Sequence, residues 1–270
     1  MLATVKETRI SKCFNSIDKG ENAFIPYITA GDPNLEKTKE IVLALEKAGA
    51  DIVELGIPFS DPLADGPIIQ KAAGRSLENG TNLEKIFKTV EEIRKETDIP
   101  LVFLIYINTV LQFGLESLLE RCRETGVDGL IIPDLPVEER RELLDLMEEY
   151  PVDLIPLASL TSKGRVSEVV SCGSGFVYCI SSNGVTGKRN SFDNNLGEMM
   201  KNVRKATDLP LAIGFGISSE DQIRELKNLC DGVIVGSALV EQIEKGIEDN
   251  SILERVYDMA FKMKEAARGL

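Results

Sequence analysis

The 270-residue sequence predicts an α/β protein, a single (β/α)8 TIM barrel with an extra N-terminal helix. Three observations carry that expectation. Short apolar runs recur from one end of the chain to the other, eight in all. Between them lie charge-rich segments with apolar residues at helical spacing, such as "NLEKTKEIVLALEKAGA" and "VEERRELLDLMEEY". The composition, 43% hydrophobic with 6% aromatic and no tryptophan, suits a Val/Ile/Leu/Ala core of parallel strands buried on both faces.

Residues 1–20 read as an amphipathic helix capping the barrel floor. The strands follow as "AFIPYIT" (23–29), "DIVELGI" (51–57), "PLVFLIY" (100–106), "VDGLIIP" (127–133), "VDLIPLA" (152–158), "GFVYCIS" (175–181), "PLAIGFG" (210–216) and "DGVIVGS" (231–237). An internal echo, "IRKETDIPL" (93–101) and "VRKATDLPL" (203–211), is offset by 110 residues and four strands. It reads either as a half-barrel repeat or as the Thr/Asp/Pro usage common to helix-to-strand turns. No low-complexity linker interrupts the chain, so residues 1–270 are expected to form one domain. An open doubly wound sheet also alternates strand and helix, but no GxGxxG or GxxxxGK[ST] follows the first strand.

A formal charge of −13 argues against a nucleic-acid or anionic-membrane surface, which needs clustered Lys and Arg. The five cysteines, Cys13, Cys122, Cys172, Cys179 and Cys230, form no CxxC pair and read as reduced core thiols, which points to a cytoplasmic protein. The first residues lack the apolar stretch of a signal peptide, and no apolar run approaches the roughly 18 residues of a membrane span. The chain has no histidine. That removes the usual general base, the Ser–His and Cys–His pairs and the commonest metal ligand, so no metal site is expected and proton transfer must fall to carboxylates, Lys, Tyr or Cys.

In barrels of this kind the loops after strands seven and eight often hold a phosphate on backbone N–H groups and a helix N-terminus. Strand seven ends in "GFGIS" with Gly216; strand eight ends in "VGS", where Gly236 precedes Ser237 at the start of a helix. A third glycine-bearing segment, "NGVTGKRN" (183–190), could close over a ligand. Each glycine also has the plain reading of a turn.

Strand alternation sets Ile52, Glu54 and Gly56 on one face of "DIVELGI" and Val53, Leu55 and Ile57 on the other. With Val53 and Leu55 toward the helices, Glu54 points into the barrel near its C-terminal mouth. No strand interior supplies a Lys or Arg to neutralise it, so a functional role outweighs a structural one. Asp65 and Asp61 lie in the loop that follows, where a solvated turn former is the alternative. Asp134 stands at another strand exit. The lack of a strand-borne lysine also leaves no nucleophile for a Schiff-base aldolase.

The long motif "ELGIPFSDPLADGP" (54–67), with "FIPYITAGDP" (24–33), "YCISSNGVTG" (178–187), "GFGIS" and "VGS", resembles the tryptophan synthase alpha chain family over most of residues 20–240, in the same order. The resemblance implies retro-aldol cleavage of indole-3-glycerol phosphate to indole and glyceraldehyde 3-phosphate. It implies Glu54 as the acid–base catalyst and Asp65 as acceptor of the indole N–H. Tyr178 would line the site and Thr186 would orient Asp65. Gly187, Phe215, Gly216, Gly236 and Ser237 would bind the phosphate. Phe24, Leu104 and Ile132 would touch the indole, with core packing an equal explanation for all three. No cofactor is implied in this chain. The implied partner is a pyridoxal-phosphate beta chain in an α2β2 assembly, met by Phe59 and Asp61. Two departures from the family pattern are visible, Ser182 ahead of "NGVTG" and "PLASLTS" at the exit of strand five.

Other phosphosugar barrels are the nearest rivals. A phosphopentose epimerase relies on histidine-bound metal, and indole-glycerol-phosphate synthase wants active-site lysines missing from these strand ends. A catalytically silent subunit that only holds a phosphorylated metabolite is the rival from another class, and intact Glu54 and Asp65 speak against it.

Overall fold

The computed structural model describes residues 7–160, 164–181, 194–214 and 216–269. Its strands are β1 (Ala23–Thr29), β2 (Val53–Gly56), β3 (Leu101–Leu104), β4 (Gly129–Ile131), β5 (Asp153–Leu154), β6 (Leu157–Ser159), β7 (Val177–Ile180), β8 (Leu211–Gly214) and β9 (Gly232–Val235). All pair in parallel, in the order β5-β4-β3-β2-β1-β9-β8-β7-β6. The two ends of that order are neighbours in sequence. Only Ile155 and Pro156 separate β5 from β6; Ile155 N–H donates to Leu130 O at 2.9 Å, and Tyr178 N–H donates to Pro156 O at 2.9 Å. One stretch of chain therefore bridges β4 to β7 and closes the ring. The fifth strand, expected as continuous over 152–158, is broken because Pro156 has no N–H to give the ladder.

Alternation divides the apolar residues between two layers. Ile25, Tyr27, Ile52, Val102, Leu104, Tyr178, Ala212 and Ile234 fill the barrel interior. Phe24, Ile28, Val53, Leu55, Phe103, Ile213 and Val233 pack outward against the helices. The assignment of Ile52 to one side and of Val53, Leu55 and Ile57 to the other follows the expected alternation.

The barrel floor is held by aspartates that open strands. Asp128 donates its N–H to Leu101 O at 2.8 Å and accepts from Leu101 N–H on Oδ2 at 2.8 Å, and Arg94 joins the same oxygen at 2.8 Å. Asp231 makes the same exchange with Leu211, at 2.8 and 2.7 Å, and Arg204 joins it. Arg94/Arg204 and Leu101/Leu211 are the corresponding residues of the sequence echo, so the two segments share a job as well as letters. The extra helix, Arg9–Ser16, seals this end: Thr8 caps it and bonds Asp153 at 2.8 Å, Arg9 bonds Asp128 at 2.9 Å, and Phe14 meets Phe176 at 5.7 Å.

Candidate active site

At the opposite, C-terminal end of the strands a pocket opens with about 650 Å³ of empty space, its mouth included. Its lining comes from Tyr27 on β1, Glu54 on β2, Asp65, Ile68 and Ile69 after β2, Leu104 on β3, Tyr178 on β7, Gly216 to Ser218 after β8, and Ile234 and Gly236 to Ala238 around the end of β9.

Glu54 is 1% exposed, in register with Tyr27 on one side and Val102 on the other. Its Oε2 has no hydrogen-bond partner among the described residues. Burial, with the charge of Asp65 adding to it, pushes the Glu54 carboxyl up to about 8. At neutral pH it is therefore a protonated acid facing a cavity. Asp65 is also raised by burial, but its hydrogen bond from Tyr106, at 3.1 Å, pulls the other way. The two carboxyls thus share a pocket with different environments, which separates an acid from a base.

Asp65 is placed by local chain stiffness. The loop from Ile57 to Gly66 carries Pro58 and Pro62, and the helix Pro67–Glu78 starts directly after it with Pro at its first position. Gln70 Nε2 donates back to Asp65 O at 2.9 Å, so the acid is tied to the first turn of that helix.

Two tyrosines occupy space that two glycines vacate. A Cβ on Gly56 would lie 2.1 Å from the Tyr27 hydroxyl, and one on Gly214 would lie 2.5 Å from the Tyr178 hydroxyl. Burial raises both phenols, so they stay protonated donors. Gly216 has φ +86, a conformation that L side chains rarely adopt, and it sets the β8 exit against the pocket. Gly236 precedes the helix Ser237–Asp249, whose first-turn residues Ser237 and Ala238 face the same cavity. First-turn amides have no intrahelical acceptor, so this end of the pocket can take an anion on backbone N–H groups. None of the described lining residues is cationic.

Of the residues singled out from sequence, Glu54, Asp65, Tyr178, Leu104, Gly216, Gly236 and Ser237 meet around this pocket. Phe24 and Ile132 do not. Both belong to the outward layer, Phe24 fully buried among residues such as Ile41 and Ile132 beside Leu135, because their strand positions have the opposite parity to the lining side chains. They are core residues, and Tyr27 takes the place expected of Phe24. Applying to β1 the alternation used for β2 would have found it. Thr186, Gly187 and Phe215, together with the Ser182 departure and the 183–190 segment, lie outside the described residues. Phe59 is half-buried, its ring 5.1 Å from that of Tyr106, whereas Asp61 is exposed. Asp134 caps the helix Ile107–Phe113, its Oδ1 accepting from Ile107 N–H at 2.8 Å. Tyr106, which touches Asp65, was missed: it reads in sequence as the last apolar residue of a strand.

A closed parallel barrel with two unequal carboxyls and a helix N-terminus around one pocket at the strand C-termini is the arrangement of an enzyme of the (β/α)8 class. The sequence matches the family described as Tryptophan synthase alpha chain over residues 14–268. Relatives under that name include one from Alkaliphilus metalliredigens, 58% identical over 91% of this chain and 92% of its own length, and one from Thermoanaerobacter sp., 49% identical over 95% and 98%. The fold superposes on tryptophan synthase of Mycobacterium tuberculosis with a TM-score of 0.89 at 32% identity, covering 97% of this chain and 98% of that one. It also matches the tryptophan synthase alpha chain of Legionella pneumophila, with a TM-score of 0.88 at 30% identity over 98% of each. This chain belongs to the tryptophan synthase alpha chain family.

Proposed function

We propose that this chain is a lyase that cleaves indole-3-glycerol phosphate to indole and glyceraldehyde 3-phosphate. The observation that carries the reading is Glu54: a buried carboxyl whose Oε2 has no partner among the described residues, protonated at neutral pH, in one pocket with a second carboxyl. Cleavage needs a proton on indole C3, which Glu54 supplies. Asp65 accepts the indole N–H and balances the positive charge that the ring then carries. With the ring in that form, the carboxylate of Glu54 takes the proton of the neighbouring side-chain hydroxyl. The C–C bond breaks, its electron pair passing to the ring; the hydroxyl carbon becomes the aldehyde, and Glu54 regains its proton. Tyr27 and Tyr178 offer neutral hydroxyls around these groups. The phosphate sits at Gly216, Gly236 and Ser237, and by family resemblance Thr186, Gly187 and Phe215 complete the site.

The chain works with a tryptophan synthase beta chain, which holds the pyridoxal phosphate, in an α2β2 assembly that receives the indole directly; this chain brings no cofactor of its own. Asp61 and Phe59 on the mouth loop meet that partner, alongside Leu63, which is 84% exposed. Five free thiols suit the cytoplasm, and no described helix is long and apolar enough to cross a membrane. Incubating purified chain with indole-3-glycerol phosphate tests the reading. Release of indole with stoichiometric glyceraldehyde 3-phosphate is expected, accelerated by added beta chain; no release with or without beta chain would overturn it.

A further inference from the structure

Tyr106 stands at the exit of β3, 1% exposed, and makes three contacts that converge on the mouth loop. Its hydroxyl donates to Asp65 Oδ2 at 3.1 Å. The Tyr106 hydroxyl oxygen also accepts from Ala64 N–H at 3.1 Å, so both the carboxylate and the backbone just before it are fixed by one atom. Its ring stacks on Phe59 with centroids 5.1 Å apart and planes 24° apart. Phe59 is half-buried and lies six residues before Asp65, in the stretch that also carries exposed Ser60, Asp61 and Leu63. A single side chain from the neighbouring strand thus grips the loop at its outer and inner ends. An arrangement needed only for packing would be met by a phenylalanine, and the hydroxyl is the part that reaches Asp65.

We propose that Tyr106 is a positioning residue for the reaction: its hydroxyl holds Asp65 on the reacting side of the pocket, and its ring, stacked on Phe59, ties that hold to the outer half of the mouth loop. The proposal rests on the lyase reading above and deepens it. Among the described residues, the charged and titratable groups facing Asp65 are Glu54 from β2, Tyr27 from β1, Tyr178 from β7 and Tyr106 itself, with Asp134 beyond Tyr106. All are acids, so the Tyr106 hydrogen bond is the one interaction among them that favours the Asp65 anion. A displacement of Phe59, by a partner or by substitution, then loosens the grip on Asp65 without touching the pocket.

The test is the pH dependence of indole-3-glycerol phosphate cleavage by the full chain, compared between wild type, Tyr106→Phe, Asp65→Asn and the double variant. Tyr106→Phe keeps the ring, so its melting temperature should stay close to that of wild type. Its kcat/KM at neutral pH should fall about tenfold, mainly in kcat, and its acidic limb should move up by about one pH unit as Asp65 becomes harder to ionise. On the Asp65→Asn background the same substitution should have little further effect. Phe59→Leu should move the acidic limb the same way by less, and it reads the grip even if Tyr106→Phe is poorly folded. An unmoved acidic limb in both Tyr106→Phe and Phe59→Leu, or an equal loss from Tyr106→Phe on both backgrounds, would overturn the proposal. A wild-type chain that releases no indole would instead sink the lyase reading, a distinguishable failure.

Discussion

Two buried carboxylates, one at each end of the barrel, are treated in opposite ways. Asp128 on the floor has its side chain 5% exposed, with Arg94 at 2.8 Å, Arg9 at 2.9 Å and the Leu101 N–H at 2.8 Å. Glu54 at the mouth is 1% exposed and has an oxygen with no partner among the described residues. Burial pushes both carboxyls up. At Asp128 the Leu101 amide and the two guanidiniums pull back; at Glu54 no described residue does, and Asp65 adds to the push. The same physics gives an anion that stitches strands in one place and a stored proton in the other. What separates a structural acid from a chemical one here is the set of partners, since burial is nearly equal.

The comparison can be broken most sharply at Glu54. Glu54→Gln keeps shape and removes the proton, so kcat for indole release should fall about 10³-fold or more while glycerol 3-phosphate still binds by calorimetry. Near-normal turnover would remove Glu54 from the chemistry. At the other end, Asp128→Ala leaves two guanidiniums and a strand amide without their acceptor, and should destabilise the fold by about 3 kcal/mol in urea unfolding. A change within experimental error would mean that the floor network is ornamental.

A smaller effect links the two ends through pH. The folded-state Glu54 titrates near 8 against an ordinary 4.5, so it binds a proton in a range where the unfolded chain does not. Its contribution to stability is full below the unfolded value and is lost as pH rises through the folded one. Glu54→Gln should therefore gain steadily on wild type as pH rises from 4 to 8, and parallel stability curves would contradict it. The smallest effect belongs to the anion corner. A Cβ at Gly236 would lie 3.5 Å from the Tyr27 side chain, an ordinary contact, so Gly236→Val should fold normally. Its added methyls occupy the space before the helix N-terminus, and glycerol 3-phosphate affinity should weaken about tenfold, near 1.4 kcal/mol.

Much of this was legible in the sequence. Period-two alternation in "DIVELGI" was enough to turn Glu54 inward, and the glycines at two strand exits, Gly216 and Gly236, do fall on the same pocket, because both are local rules of backbone geometry. What stayed hidden depends on distant contacts. The hold on Asp65 comes from a hydroxyl 41 residues away, and no spacing within the loop announces it. The need for Gly56 and Gly214 comes from tyrosines on neighbouring strands. Phe24 differs for another reason: the resemblance offered it as an indole contact with core packing as the alternative, and strand parity, readable from the same letters, gives the outer core and leaves Tyr27 in the pocket.

Burial, with no described residue bonded to its Oε2, leaves Glu54 carrying a proton at neutral pH. Difference infrared spectroscopy of wild type against Glu54→Gln, stepped from pH 4 to pH 10, observes that proton through the carboxylic C=O stretch. A band present in wild type, absent from the variant and lost with a midpoint near 8 is the predicted result. A Glu54 carboxyl already ionised by pH 5 would contradict it.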